Sequence, residues 1–184
     1  MIGALPTSLT ILGRDYAIRS DFRTALLIFE AYDDPDLTDA EKAQVMIECL
    51  YTEIPEDIEE AYKQAVWFLD GGDMPKPKQA PRKIMDWRQD ESIIFPAVKK
   101  VAGYETRACE YLHWWSFLGF FNEIGEGLYA TVMNIRLKKA KKKKLEKYES
   151  EFYREHKEMV DLKRRYSAEE QAEIDRINQL LDGE

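Results

Sequence analysis

The chain has 184 residues, a net charge of −8, 45% apolar residues and 34% charged ones. That length holds one or two small domains with a core of ordinary size, and the acidic balance works against binding to nucleic acid or an anionic membrane. Two cysteines, Cys49 and Cys109, without CxxC spacing exclude a disulfide scaffold and fit a reducing cytoplasm.

The opening M-I-G-A-L-P lacks the basic flank and apolar run of a signal peptide, and no stretch approaches the ~20 apolar residues of a bilayer span. A soluble intracellular protein is expected. From Ser8 to Ser20, apolar residues alternate with polar ones (Leu9, Ile11, then Tyr16, Ile18) around turn residues Gly13 to Asp15, the pattern of a short β-hairpin. Helical spacing then takes over. Phe22, Ala25, Leu26 and Phe29 define a first helix, stopped by Asp33-Asp34-Pro35. A second opens at the capping box Thr38 to Glu41, with Ala43, Met46, Ile47 and Leu50 as its stripe. A third is expected from Pro55, with Ile58, Tyr62, Ala65, Val66 and Leu69 inward and Gly71-Gly72 at its end.

Residues 73–84 carry three prolines and several lysines and read as an extended linker. Beyond it, a helix from Asp90 to Val101 contains Pro96, which should kink it or delay its start. An aromatic helix is expected from about Thr106 to Ile124. Gly125 and Gly127 break it, and a further helix runs from Leu128 into the lysine run. Another covers Leu145 to Met159, and a last one follows the S-A-E-E capping box at Ser167. The expected fold is mainly α, a bundle of six to seven helices with a small N-terminal hairpin. Its parts are 1–72 (hairpin and acidic three-helix unit), 73–84 (linker), 85–160 (aromatic unit with basic tract) and 161–184 (C-terminal helix).

The richest stretch is Tyr111 to Ile124, Y-L-H-W-W-S-F-L-G-F-F-N-E-I. At about 100° per residue, Tyr111, Trp114, Phe117, Leu118, Phe121 and Ile124 share one face and form the expected core side. Leu112, Trp115 and Gly119 fall on the other side, with Phe120 at the edge. Such a second stripe is either sandwiched within the fold or open to a partner, and a glycine in it would admit close approach of another chain. Both readings stand on the sequence.

Charge is unevenly spread. Residues 21–60 hold thirteen acidic and two basic side chains, whereas 136–147 hold eight basic and one acidic. The tract Arg136, Lys138, Lys139, Lys141, Lys142, Lys143 and Lys144 is a candidate docking surface for an acidic protein, or for head-to-tail self-association. It would also serve a nucleic-acid-binding accessory protein, but no aromatic residue interrupts the run to stack bases. Catalysis has little to draw on. No nucleophile elbow, phosphate-binding glycine loop or zinc spacing is present. Cys109 and His113 are two ligands rather than a metal site, and Glu123 with Glu126 is a common surface spacing. No enzyme activity and no metal or other cofactor is expected.

The segment L-H-W-W-S-F-L-G-F-F-N-E-I-G-E-G resembles the bacteriophage gene-product-fifteen family of tail assembly chaperones. The opening L-P-x-S-L-x-I-x-G-x-x-Y-x-I-x-S-D-F-R, the run D-W-R-x-D-E-S-I-I-F from Asp86 to Phe95, and the later F-Y-R-E-H-K-E agree, so the likeness spans Leu5 to about Glu158. It implies a non-enzymatic protein of long-tailed phages or prophages, at work in the host cytoplasm and absent from the finished virion. Such a protein would keep the tape-measure protein soluble and help recruit tail-tube subunits. The family carries no catalytic residues to transfer.

Overall fold

A computed structural model describes residues 3–72 and 83–182; the proline-rich stretch read as a linker lies, over 73–82, outside the described residues. Two short strands, β1 (Ser8–Ile11) and β2 (Arg14–Ala17), pair antiparallel with Ile11 opposite Arg14. The turn is Leu12-Gly13, both at positive φ (48° and 84°), which matches the right-handed twist of a two-residue hairpin. It falls one residue earlier than the sequence suggests. Asp15 instead belongs to β2 and accepts the Thr10 hydroxyl at 2.6 Å. Leu9, Ile11, Tyr16 and Ile18 are buried, so the hairpin gains its stability by lying on the helices.

Helix α1 (Phe22–Tyr32) starts at Asp21, whose carboxylate accepts the Arg23 amide. Helix α2 (Asp39–Leu50) opens with the Thr38–Glu41 capping box and buries Met46, Ile47 and Leu50, as the pattern predicts. Helix α3 (Ile58–Leu69) begins three residues later than Pro55, because the Asp57 carboxylate caps the Glu60 amide. Its buried face is Ala61, Ala65, Phe68 and Leu69, while Ile58 and Tyr62 stay exposed. Small alanines let the Tyr51 hydroxyl reach the Ala61 carbonyl at 2.8 Å.

Helix α4 (Glu91–Ala102) tolerates Pro96 on its exposed side and ends at Gly103, φ 80°. After a single 3-10 turn (Thr106–Ala108) come α5 (Trp114–Asn122), α6 (Leu128–Ala140), α7 (Lys147–Glu155), α8 (Lys157–Val160) and α9 (Ala168–Asp182). The molecule is therefore mainly α with a two-stranded hairpin. Its described residues form nine α-helices rather than six to seven, partly because the chain breaks at His156 (φ −121°, ψ 33°) between α7 and α8. Helix α6 runs into the lysine run as far as Lys139 and stops at Ala140; Lys142 turns out at φ 54°, so Lys141 to Lys144 are not a helical extension.

One aromatic core joins the hairpin, α1, α2 and α3 to α4 and α5, so residues from 1–72 and 85–160 share it. Phe22 stacks on Phe117 with centroids 4.7 Å apart, and Phe29 meets Trp114 at 5.7 Å. A smaller cluster of Ile93, Val132, Ile135 and Val160 holds α6 and α8 against α4.

Candidate partner-binding surface

The aromatic helix starts at Trp114, not near Thr106. Residues 111–113 are extended beside 20–22: the Phe22 amide donates to the Leu112 carbonyl at 2.9 Å and the Trp114 amide to the Ser20 carbonyl at 2.8 Å. His113 makes the transition. Its Nδ1 accepts the Trp115 amide at 3.0 Å as a helix cap, which places the proton on Nε2, and Nε2 donates to the Pro6 carbonyl at 2.9 Å. The imidazole thus staples the N-terminal segment to the start of α5.

This moves the predicted residues apart. Leu112 is buried in the core ahead of the helix and is not on a stripe with Trp115. Cys109 and His113 likewise share no helix. Tyr111, read as core, is exposed, although its hydroxyl bonds Ser20 Oγ at 2.8 Å. Trp114 and Phe117 are buried as expected. Phe120 packs edge-on to Tyr104, 6.1 Å away.

Trp115 is half-buried. Its indole N–H donates to the Phe68 carbonyl at 2.8 Å, and its ring meets Trp67 edge-on at 5.2 Å. Gly72, at φ 95°, passes so close that a Cβ would come within 3.2 Å of the indole. One turn along α5, Gly119 is exposed, with nothing within 4 Å of where a Cβ would stand. Trp67, Trp115 and Gly119 therefore form a small surface in which the Trp115 indole has its polar handle already engaged.

The basic tract divides in the same way. Arg136 is buried and grips Asp90 with two bonds of 2.6 and 2.8 Å. Lys138 binds the buried carboxylate of Glu149 at 2.7 Å, and Lys139 pairs with Asp161. Lys139 is exposed although paired, and Lys141 to Lys144 are exposed beyond the end of α6. Arg136 belongs to a node that sequence reading missed. Asp86 accepts the amides of Arg88 and Gln89 and the side chains of Lys83 and Arg165, and its own amide donates to Asp90. The node ties the start of α4 to α6, to the end of α8 and to the segment leading to α9.

Burial pushes the Asp86 carboxyl up, but the Gln89 amide and the side chains of Lys83 and Arg165 outweigh that and hold it at about 2. An unfolded aspartate titrates near ~3.9. The folded value is the lower, so this stabilisation is complete above the unfolded value and is lost as pH falls through about 2. Urea unfolding of wild type and Asp86→Asn should therefore converge between about pH 5 and pH 2, the wild type losing on the order of 2 kcal/mol more. Parallel losses would show that Asp86 is not held this way.

The geometry defines a mainly α protein with one aromatic core, a buried ionic node and a tryptophan pair at the surface. The chain belongs to the Bacteriophage Gp15 protein family, whose model matches residues 1–162. The match takes in both tryptophans of α5 and the whole of the Asp90–Arg136 pair, and stops before α9. No curated protein and no solved structure matches the chain. Among the described residues no helix is long and apolar enough to cross a membrane.

Proposed function

We propose that this phage protein is a tail assembly chaperone that keeps the tape-measure protein soluble and helps recruit tail-tube subunits, by binding and without catalysis. It works in the host cytoplasm and leaves before the virion is finished. Family membership supports the phage setting. The observation that carries the binding surface is Trp115, only partly buried inside the matched region, with its N–H spent internally and its ring edge set beside Trp67. Such a surface can accept the apolar side of an amphipathic helix over Trp115 without leaving that indole N–H unpaired.

Gly119→Arg is the cleanest probe. The added side chain enters open space and replaces a glycine inside a helix, so stability should hold or rise by about 0.5–1 kcal/mol. Co-expression with the tape-measure protein of the same phage should give soluble complex with wild type and none with Gly119→Arg. Capture that survives the substitution would move the binding site elsewhere. A tape-measure protein that stays insoluble beside wild type would overturn the chaperone reading itself.

A further inference from the structure

Helix α9 is amphipathic and, among the described residues, has almost no partner. Ile177, Leu180 and Leu181 are 48%, 70% and 69% exposed. Ala168 donates its amide to Asp36 at 2.8 Å; among the described residues the later side-chain bonds of the helix run to Arg164, to Ser167 or within α9 itself. Ile174, Ile177 and Leu181 fall on one helical face and span about 10 Å. Around them, residues 168–182 carry five acidic side chains and one basic.

A groove of about 480 Å³ between α1 and the start of α4 has the complementary character. Its floor is Phe22, Leu26, Trp87 and Phe95, with Leu27 on the rim at 55% exposure. Four arginines (Arg23, Arg88, Arg107 and Arg165) line it against three carboxylates (Glu30, Asp33 and Glu91), so the lining is basic by one charge. One of them, Arg23, is among only two basic residues in the acidic stretch 21–60. The Arg88–Glu30 pair in its lining joins two exposed side chains and is cheap to rearrange. Two turns of α1, from Arg23 to Glu30, cover about 10 Å, the span of the apolar positions on α9.

The helix does not occupy its own groove. Arg165 already lies in the lining, and the Ser167–Glu170 capping box starts α9 two residues later with no slack for the chain to reverse. We propose that α9 of one copy docks in the α1–α4 groove of a second copy, apolar face inward and acidic flanks against the arginines. Because helix and groove are different surfaces, the contact is heterologous and joins copies head to tail. The inference is independent of the chaperone reading.

Sedimentation velocity on the full-length protein tests it at a concentration on the order of 100 µM, enough to populate a micromolar complex. Wild type should show a mass above monomer that rises with concentration and falls with salt. The double substitution Ile177→Asp and Leu181→Asp should leave a monomer, as should Leu27→Asp in the groove; all three positions are exposed, and circular dichroism should report an unchanged fold. Mixing the two monomeric variants should restore a one-to-one dimer, since one supplies an intact helix and the other an intact groove. A monomeric wild type, association that persists in either variant, or variants that fail to complement would each overturn the proposal. If Leu27→Asp disturbs the fold, Arg88→Glu in the groove replaces it and should weaken association at least about tenfold.

Discussion

Arg136→Ala is expected to lower the unfolding free energy by about 3–5 kcal/mol, measured by chemical denaturation at neutral pH. All five N–H donors of the guanidinium are used: Nε to the Val160 carbonyl, Nη1 to Ile84 O and Asp90 Oδ2, Nη2 to Asp90 Oδ1 and Met159 O. Removing the side chain strands a buried carboxylate and three carbonyls at once, and an unmet buried acceptor costs far more than a made bond yields. Arg136→Lys keeps the charge but has only three donors and no planar fork, so it should fall between wild type and alanine. Asp90→Ala should be nearly as damaging, and the double substitution much less so than the sum. If the two single effects are each under about 1 kcal/mol and simply add, the pair is not the coupled node its geometry indicates.

That node also marks where reading along the chain runs out. Helix positions were legible because apolar spacing is a local property: Met46, Ile47 and Leu50 fell where periodicity put them. The choice of polar partner is made through space, across 46 residues for Asp90 and Arg136. Arg136 looked like the first member of a solvated basic run. The available clue was position, since it follows Ile135 and stands four residues after Val132, both fully buried, whereas the later lysines of the run do not. The same limit explains Leu112. Aromatic spacing extends backward from Trp114 without interruption, and nothing in it announces that an imidazole will cap the helix at His113 or that 111–113 will pair with 20–22. The proposed partner surface was legible only in part. Trp115 and Gly119 do neighbour each other on α5, while Trp67 comes to them from α3, a contact no helical wheel of α5 contains.

The two adjacent tryptophans should separate cleanly in stability. Trp114 is 1% exposed, donates its N–H to the Leu69 carbonyl at 2.9 Å, and sits among Phe29, Trp87 and Phe117 at 5.7–6.4 Å. Truncating it opens a cavity at the junction of α1, α3 and α5 and leaves a buried carbonyl unpaired, so Trp114→Ala should cost about 3–5 kcal/mol and lower the melting temperature by roughly 10 °C. Trp115 gives up one hydrogen bond and a half-buried ring, and Trp115→Ala should cost about 1–2 kcal/mol. Thermal denaturation of the two variants side by side is the measurement. Equal losses would make Trp115 a second pillar of the core and leave it little to offer a partner. A difference of 2 kcal/mol or so, with partner capture lost only where the fold survives, would assign the two indoles different work. Trp114 would hold α5 against α1 and α3, and Trp115 would present the surface that this packing exposes.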